Sequence, residues 1–236
     1  MTLAMAKHPA DSDLRSRLID TAIGLLAEQG PSAIQARSIA KAAQVSTMAV
    51  YSSFGGMPEL LGAVADHGFR VLVAAFESAP KTGDSVTDIF TLALTHRAVA
   101  KRNPHLYDLM FGLSTRGAYR AIELETPAGS DTRSAAFQAT YGHLIEASRR
   151  LVEAGRVRKD NPAVIAAQLW SFVHGFISLE LAGHLIQFDD CVRDVLLPLG
   201  INMVVGLGDR PELARKSILA AASATRSAER GQAAAR

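Results

Sequence analysis

Apolar positions near the start of the chain recur at helical spacing. Leu14, Leu18, Ala22 and Leu25, joined by Ile19, Ile23 and Leu26, form one continuous stripe. Ser12 or Asp13 stands where a cap belongs, and Gly30-Pro31 ends the pattern, because glycine accepts a left-handed conformation and proline cannot continue a helix. A shorter pattern covers residues 36–43, with Ile39 and Ala40 inward, Arg37 and Lys41 outward and Gln35 at the cap position. After a turn at Gln44-Val45, Ser46 caps a third helix over 47–53. There Val45, Ala49, Val50 and Phe54 supply packing, leaving Thr47, Met48, Tyr51 and Ser52 on the other side. Two helices joined by so short a turn form a helix-turn-helix.

Gly55-Gly56 interrupts the pattern, and Pro58 fits the first turn of a fourth helix running to Pro80 through Leu60, Leu61, Val64, Val71, Leu72 and Phe76. Gly62 and Gly68 weaken it by up to ~1 kcal/mol each relative to alanine, so packing must hold it. Further helices are predicted over 85–101, 104–114, 131–154, 162–187 and 190–206. Asn103-Pro104 and Asn161-Pro162 read as caps followed by first-turn prolines, Gly155 as a stop, and Pro198 as a kink or division. From Asp209 a short helix gives way to Ala, Ser and Arg residues with little to bury. The expectation is an all-α chain with a disordered arm over 1–12 and a three-helix DNA-binding domain over 13–57. A helical regulatory and dimerisation domain over 58–208 and a partly disordered tail over 209–236 follow.

Composition alters this picture little. The 236 residues are 48% hydrophobic with a formal net charge of +2, which is weak support for nucleic-acid binding. In the N-terminal part Lys7, Arg15, Arg17, Arg37, Lys41 and Arg70 are balanced by Asp11, Asp13, Asp20, Glu28, Glu59 and Asp66. Distribution says more: from Arg37 to Pro58 there are basic residues and no acid, so this face meets phosphates without repulsion. The lone Cys191 excludes an intramolecular disulfide and reads as a buried structural thiol. No stretch approaches the ~20 consecutive apolar residues of a membrane span. The start MTLAMAKHPADSD has no signal-peptide core, so a cytoplasmic protein with no membrane association is expected.

A DNA-reading helix must keep its backbone near the bases and present small or unbranched groups at its first turn. Thr47 can donate to a base or phosphate, Met48 can contact a thymine methyl, and Ser52 lies about a turn beyond it. Tyr51 and Arg37 have the reach to bond phosphates. The alternative is an ordinary helical hairpin with a half-buried tyrosine and a solvated arginine.

The run Leu18-Ile19-Asp20-Thr21-Ala22, Leu25 to Gly30, Arg37-Ser38-Ile39-Ala40, Ala43-Gln44-Val45-Ser46, Val50-Tyr51, Phe54-Gly55-Gly56 and Leu60-Leu61 resembles the N-terminal domain of TetR-family repressors. The resemblance implies an all-helical homodimer that places its third helices in the major grooves of an operator. It makes Arg37, Ser46, Thr47, Met48, Tyr51 and Ser52 the DNA-contact candidates. Three positions depart from the family pattern: Gln35 replaces a Thr or Ser cap, Gln44 a turn glycine, and Met57 a lysine often found on phosphate. Further on, the stretches from Asn103 to Gly112 and from Leu169 to Leu181 resemble a TetR subgroup known by a Trp, His, Gly signature, here Trp170, His174 and Gly175.

Other chemistry is thin. His96, His105, His143, His174 and His184 lack metal-ligand spacing apart from the isolated pair His143 and Glu146, so no metal or cofactor is expected. His174 on an apolar helix reads as a packing residue or a pocket residue. Gly206-Leu207-Gly208 lacks the context of a dinucleotide site, and the run 112–117 lacks the spacing of a hydrolase elbow. Tyr107, Met110, Phe111, Phe137, Tyr141, Trp170, His174 and Phe176 are core residues or the lining of an apolar effector pocket. The expected function is ligand-responsive transcriptional regulation, repression foremost, by a homodimer on a double-stranded DNA operator, released by a small-molecule effector. A DNA-binding regulator governed by a protein partner and an all-helical enzyme on a small apolar substrate are the alternatives. Effector identity, operator sequence and sign of regulation are not encoded legibly.

Overall fold

The computed structural model describes residues 9–111 and 134–234; the run 112–117 and the expected helix start at Asp131 lie outside them. Among the described residues the regular structure is helical, as the pattern predicts. The elements are α1 (Pro9–Gln29), α2 (Ala36–Ala42), α3 (Thr47–Phe54), α4 (Met57–Ser78), α5 (Ser85–Arg102), α6 (Pro104–Phe111), α7 (Ala135–Glu153), α8 (Pro162–Leu181), α9 (Leu197–Gly206) and α10 (Pro211–Ala234). They fall into two compact units. The first takes Met1–Val71 with Asn103–Phe137, the second Leu72–Arg102 with Gln138–Arg236, so the chain passes between them inside α4, between α5 and α6, and in the first turn of α7.

The first unit is built on the α1 stripe. Leu18, Ala22 and Leu26 are buried with Ile39 and Ala40 of α2, Val50 and Phe54 of α3, and Leu60, Val64 and Phe69 of α4. α6 joins this unit closely. A Cβ added at Gly68 would lie 2.4 Å from Met110 Sδ, so the glycine that weakens α4 lets α6 lie against it. Phe69 packs edge-on against Phe111 and Phe137, with ring centroids 5.4 and 5.2 Å away.

The α2–α3 turn shows why the Gln44 departure matters. Gln44 has φ 57°, the left-handed region where a Cβ crowds the carbonyl. Around it, Val45 N–H donates to the Ala40 carbonyl at 2.9 Å and Gln44 N–H to that of Lys41 at 3.2 Å, the Schellman closure of a helix end. Gly155 makes the same closure after α7, with φ 65° and Arg156 N–H donating to Leu151 at 3.1 Å. The predicted caps are present as well: Asn103 Oδ1 accepts from Leu106 N–H at 3.0 Å and Asn161 Oδ1 from Ala163 N–H at 2.9 Å. Gln35 sits at the N-cap of α2 in extended geometry, yet its side chain makes no capping bond.

The second unit is organised on α5, whose N-terminal half is buried on every side from Ser85 through Thr91. Thr87, Asp88 and Thr91 are bonded there, whereas the buried Ser85 Oγ has no hydrogen-bond partner among the described residues. Asp88 accepts from Thr82 N–H and Thr82 Oγ1, each at 2.7 Å, and from Arg150 at 2.8 Å. Asp84 caps the helix, accepts from Thr87 Oγ1 at 2.7 Å and pairs with Arg156. Arg156 also holds Asp209 by two bonds, of 2.9 and 2.7 Å, and reaches Ser217 of α10 at 3.1 Å. One arginine thus gathers α5, the loop after α7 and the start of α10.

Several expectations change. α1 begins at Pro9, ahead of Ser12 and Asp13, so neither is its cap. The expected helix over 162–187 stops at Leu181, where Gly183 turns at φ 77°. A π-helical turn, Val192–Leu196, precedes α9 with Pro198 in its first turn, the division that the missing proline N–H imposes. Within the expected tail, Pro211–Ala234 form α10, longer than the short helix predicted, which buries Ala214, Ile218, Ala221 and Ala222, a stripe of mostly small residues. α8 has a mean hydropathy of 1.4 and is long and apolar enough to cross a membrane, contrary to the sequence reading. Only 33% of its apolar window is buried within this chain.

The turn generates a direct test. Gln44→Gly relieves left-handed strain of about 1 kcal/mol, partly offset by the greater freedom of glycine when unfolded. A net stability gain of roughly 0.5 kcal/mol is expected, read as a higher denaturant midpoint at unchanged slope.

Candidate nucleic-acid interface and effector cavity

α3 is eight residues long and buries only Val50 and Phe54. Ser46 caps it by accepting from Ala49 N–H at 3.1 Å. The geometry fixes the rest of the surface: Arg37, Ser46, Thr47, Met48, Tyr51 and Ser52 are all exposed, Met48 by 74% and Tyr51 by 42%. Neither α2 nor α3 has an acidic residue in its first turn. Ser52 Oγ donates to the Ala49 carbonyl at 3.1 Å, a bond it can exchange for an outside acceptor.

Two arginines that look like surface charge in the sequence have internal roles. Arg15 donates to the Ser53 carbonyl at 2.6 Å and lies 4.1 Å from the centroid of the Phe54 ring, gripping the C-terminal end of α3. Arg17 donates to the Ala43 carbonyl at 3.1 Å, at the end of α2. Both sit on α1 and hold the helix-turn-helix from behind, leaving Arg37 and Lys41 as its outward cations. The signal was present only as basic residues on the flank of the α1 stripe.

In the second unit, α5, α7 and α8 bring four rings together. His96 stacks near His174 and Trp170, with centroids 4.8 and 5.4 Å away, Trp170 lies 4.3 Å from His174, and Tyr141 meets Trp170 edge-on at 5.5 Å. Beside this cluster is a cavity of ≈ 30 Å³, bordered by Phe76, Phe90, His96, Trp170, Val173 and Gly200 among others. That is room for about two waters.

The eight pocket candidates divide between the two units. Tyr107, Met110, Phe111 and Phe137 belong to the first unit, where Phe111 and Phe137 pack on Phe69, Tyr107 meets Phe111 and Met110 lies against Gly68. Tyr141, Trp170, His174 and Phe176 belong to the second, where Trp170 borders the cavity and Phe176 is core. His96, Phe90 and Gly200 were missed, because α5 and α9 carry no local motif that marks them.

Burial makes both cluster histidines neutral. It pushes His174 down to about 3 and holds His96 well below its ordinary value of 6.5, an effect the neighbouring His174 adds to. No group of three or more metal-ligating side chains is present among the described residues. Glu146, the sequence neighbour of His143, is held instead by Arg149 at 2.8 and 2.5 Å. Cys191 is half-buried rather than buried, with Sγ 3.2 Å from Glu180 Oε1. Burial and that carboxylate together raise its pKa and disfavour the reactive thiolate. Glu180 is anchored by Arg97, whose two bonds outweigh the burial that would raise its pKa.

Residues 18–64 match the family model for bacterial regulatory proteins of the tetR family, and residues 89–197 match that for the tetracyclin repressor-like C-terminal domain. The chain belongs to the TetR family. TetR members are DNA-binding transcriptional regulators, and this chain carries both of the family's parts. No curated protein matches it in sequence. Solved structures share its fold. A protein of unknown function from Rhodococcus sp. RHA1 is 23% identical with a TM-score of 0.66, covering 82% of this chain and 94% of its own. RolR in complex with resorcinol is 18% identical with a TM-score of 0.63, covering 90% and 96%. A possible TetR-family regulator from Streptomyces coelicolor A3(2) is 21% identical with a TM-score of 0.54, covering 94% and 100%.

The neutral histidines predict an acid sensitivity of known sign. The unfolded chain protonates them near pH 6.5 while the folded one does not, so stability is complete above that pH and falls as pH drops toward 5. For His174, roughly 2 kcal/mol is lost over that interval. Urea titrations at both pH values should show this slope, and His174→Gln should flatten it.

Proposed function

We propose that this TetR regulator is a ligand-responsive repressor that binds a near-palindromic operator as a homodimer. The observation that carries the proposal is the outer face of α3, which is acid-free, backed by Arg15 and Arg17, and exposes Met48 by 74%. Thr47, Met48 and Ser52 read bases, while Tyr51, Arg37 and Ser46 bond or border phosphates. Met57 at the start of α4 supplies no phosphate cation, so affinity depends on placement more than on charge.

A homodimer through α8 and α9 is supported by apolar side chains left uncovered there, Val164, Leu179 and Leu199. A shallow groove lined by Val164, Ala167, Phe172 and Met203 adjoins them. A second copy laid across this face covers the apolar surface that makes α8 resemble a membrane span. TetR regulators act in the cytoplasm, and the same location is proposed here. RolR, which shares the fold, was solved with resorcinol; an effector held by the C-terminal unit is our reading for this chain. Trp170, His174 and Gly175 support our reading of that unit as one of the Trp-His-Gly subgroup.

Release follows from connectivity. α4 belongs to both units, changing over at Val71 and Leu72, so a shift of its C-terminal half reaches the recognition helices through one continuous rod. Half-sites lie ~34 to 36 Å apart, so a small change in helix spacing breaks simultaneous contact. Coupling of ~1 to 3 kcal/mol suffices for release at working effector levels.

Two experiments bear on this reading. Tyr51→Phe and Arg37→Ala should weaken operator binding on all sequences alike and reduce its salt dependence, whereas Met48→Ala or Thr47→Ala should change base preference by about 1 to 3 kcal/mol. Uniform weakening by the latter pair removes the base-reading role. Sedimentation should give a dimer at micromolar concentration; Leu179→Glu with Val164→Glu should give a folded monomer, and an unchanged dimer refutes the α8 assignment.

A further inference from the structure

The cavity beside the His96 cluster carries information about what fills it. Its described lining residues include no Asp, Glu, Lys or Arg; the polar side chains on its wall are His96 and Trp170, and the rest are hydrocarbon. Burying a carboxylate or ammonium there without a counter-ion is strongly unfavourable. The wall is aromatic on several sides, with Phe76, Phe90, His96 and Trp170 offering ring faces and edges. A neutral imidazole provides one donor and one acceptor, enough to orient a hydroxyl.

At ≈ 30 Å³ the space is too small for a ring, so one wall must yield. Phe90 is that wall. A Cβ at Gly200 would lie 2.2 Å from Phe90 Cε2 and 2.9 Å from Cζ, so the ring rests directly on the α9 backbone. Gly200 leaves the ring its present place, and both residues border the cavity. Phe76 and Leu92 are shared between this cavity and a neighbouring pocket that carries Lys81, His143, Glu146 and Arg150.

We infer that this cavity is the effector site and that it takes a small uncharged aromatic molecule of about phenol size, accommodated by displacement of the Phe90 ring. The inference rests on the proposal that an effector acts through the C-terminal unit. It also makes Gly200 and Phe90 the determinants of ligand size. Any larger residue at position 200 drives the ring from α9 and uses the space the ligand needs.

The chain has one tryptophan, Trp170, and it borders the cavity, so its emission reports occupancy. Phenol, benzoate and benzylamine, titrated at pH 7 into the full chain by fluorescence and calorimetry, separate the charge classes. Phenol should bind saturably and change Trp170 emission, with the two ions weaker by about tenfold or more. Gly200→Ala should weaken phenol by about tenfold, and Phe90→Ala should tighten the larger 2-naphthol by a similar factor. Circular dichroism establishes that each variant is folded, and Phe90→Ala decides the matter if Gly200→Ala is not. No binding of phenol, equal binding of all three probes, calorimetric binding that leaves Trp170 emission unchanged, or folded variants with unaltered affinities would each overturn the inference. A footprint on DNA that is abolished by a charged metabolite but not by phenol would overturn the ligand class and leave the regulator reading intact. Absence of any sequence-specific footprint would strike the regulator reading itself.

Discussion

A helix that buries two side chains can be held in place only from outside itself. α3 has Val50 and Phe54 as its anchors, a serine cap at one end and the Arg15 guanidinium at the other. Thr47, Met48, Tyr51 and Ser52 face outward. The strain at Gln44 and the uncapped Gln35 show that the turn and α2 are not optimised for stability alone. The α1 stripe and α6 supply what the short helices lack, which is why the first unit reaches forward in sequence to include residues beyond α5.

The second unit has the opposite character. The N-terminal half of α5 is enclosed, and ion pairs and hydrogen bonds tie that end down: Asp84, just before it, with Arg156, and Asp88 with Arg150 and Thr82. Against this rigid helix, the cluster of His96, Trp170 and His174 and the small cavity beside it form the place where packing is incomplete. A regulator needs such a place, because a ligand shifts an equilibrium only by contacts that one state offers and the other does not. In the proposed mechanism α4, which spans the division at Val71 and Leu72, carries that difference to the recognition helix.

Much of the fold was legible because its signals are local. Caps at Asn103 and Asn161, the stop at Gly155 and the division at Pro198 each follow from one or two residues acting on their own backbone. α10 was read as a tail because its buried positions, Ala214, Ala221 and Ala222, contribute helical period without hydropathy. α8 was read without its membrane-like character because small and polar residues interrupt it, although its average is apolar. Of the candidate site, the exposed face of α3 was recoverable from spacing. The cavity was not, since Phe90, His96, Trp170 and Gly200 come from three helices whose encounter is a property of packing. Arg15 and Arg17 were invisible for a similar reason: a charge count cannot tell a cation bonded to a helix end from one in water.

The central claim is that α3 of a dimer reads DNA at two related sites. The most direct measurement is footprinting of the purified full chain on the intergenic DNA beside its own gene. The account predicts a protected near-palindrome whose half-sites lie one helical turn apart, ~34 to 36 Å or a multiple of it. Protection should be lost when Arg37 and Tyr51 are both replaced by alanine. Protection that survives that double replacement, or a single asymmetric site bound by a monomer, would contradict it.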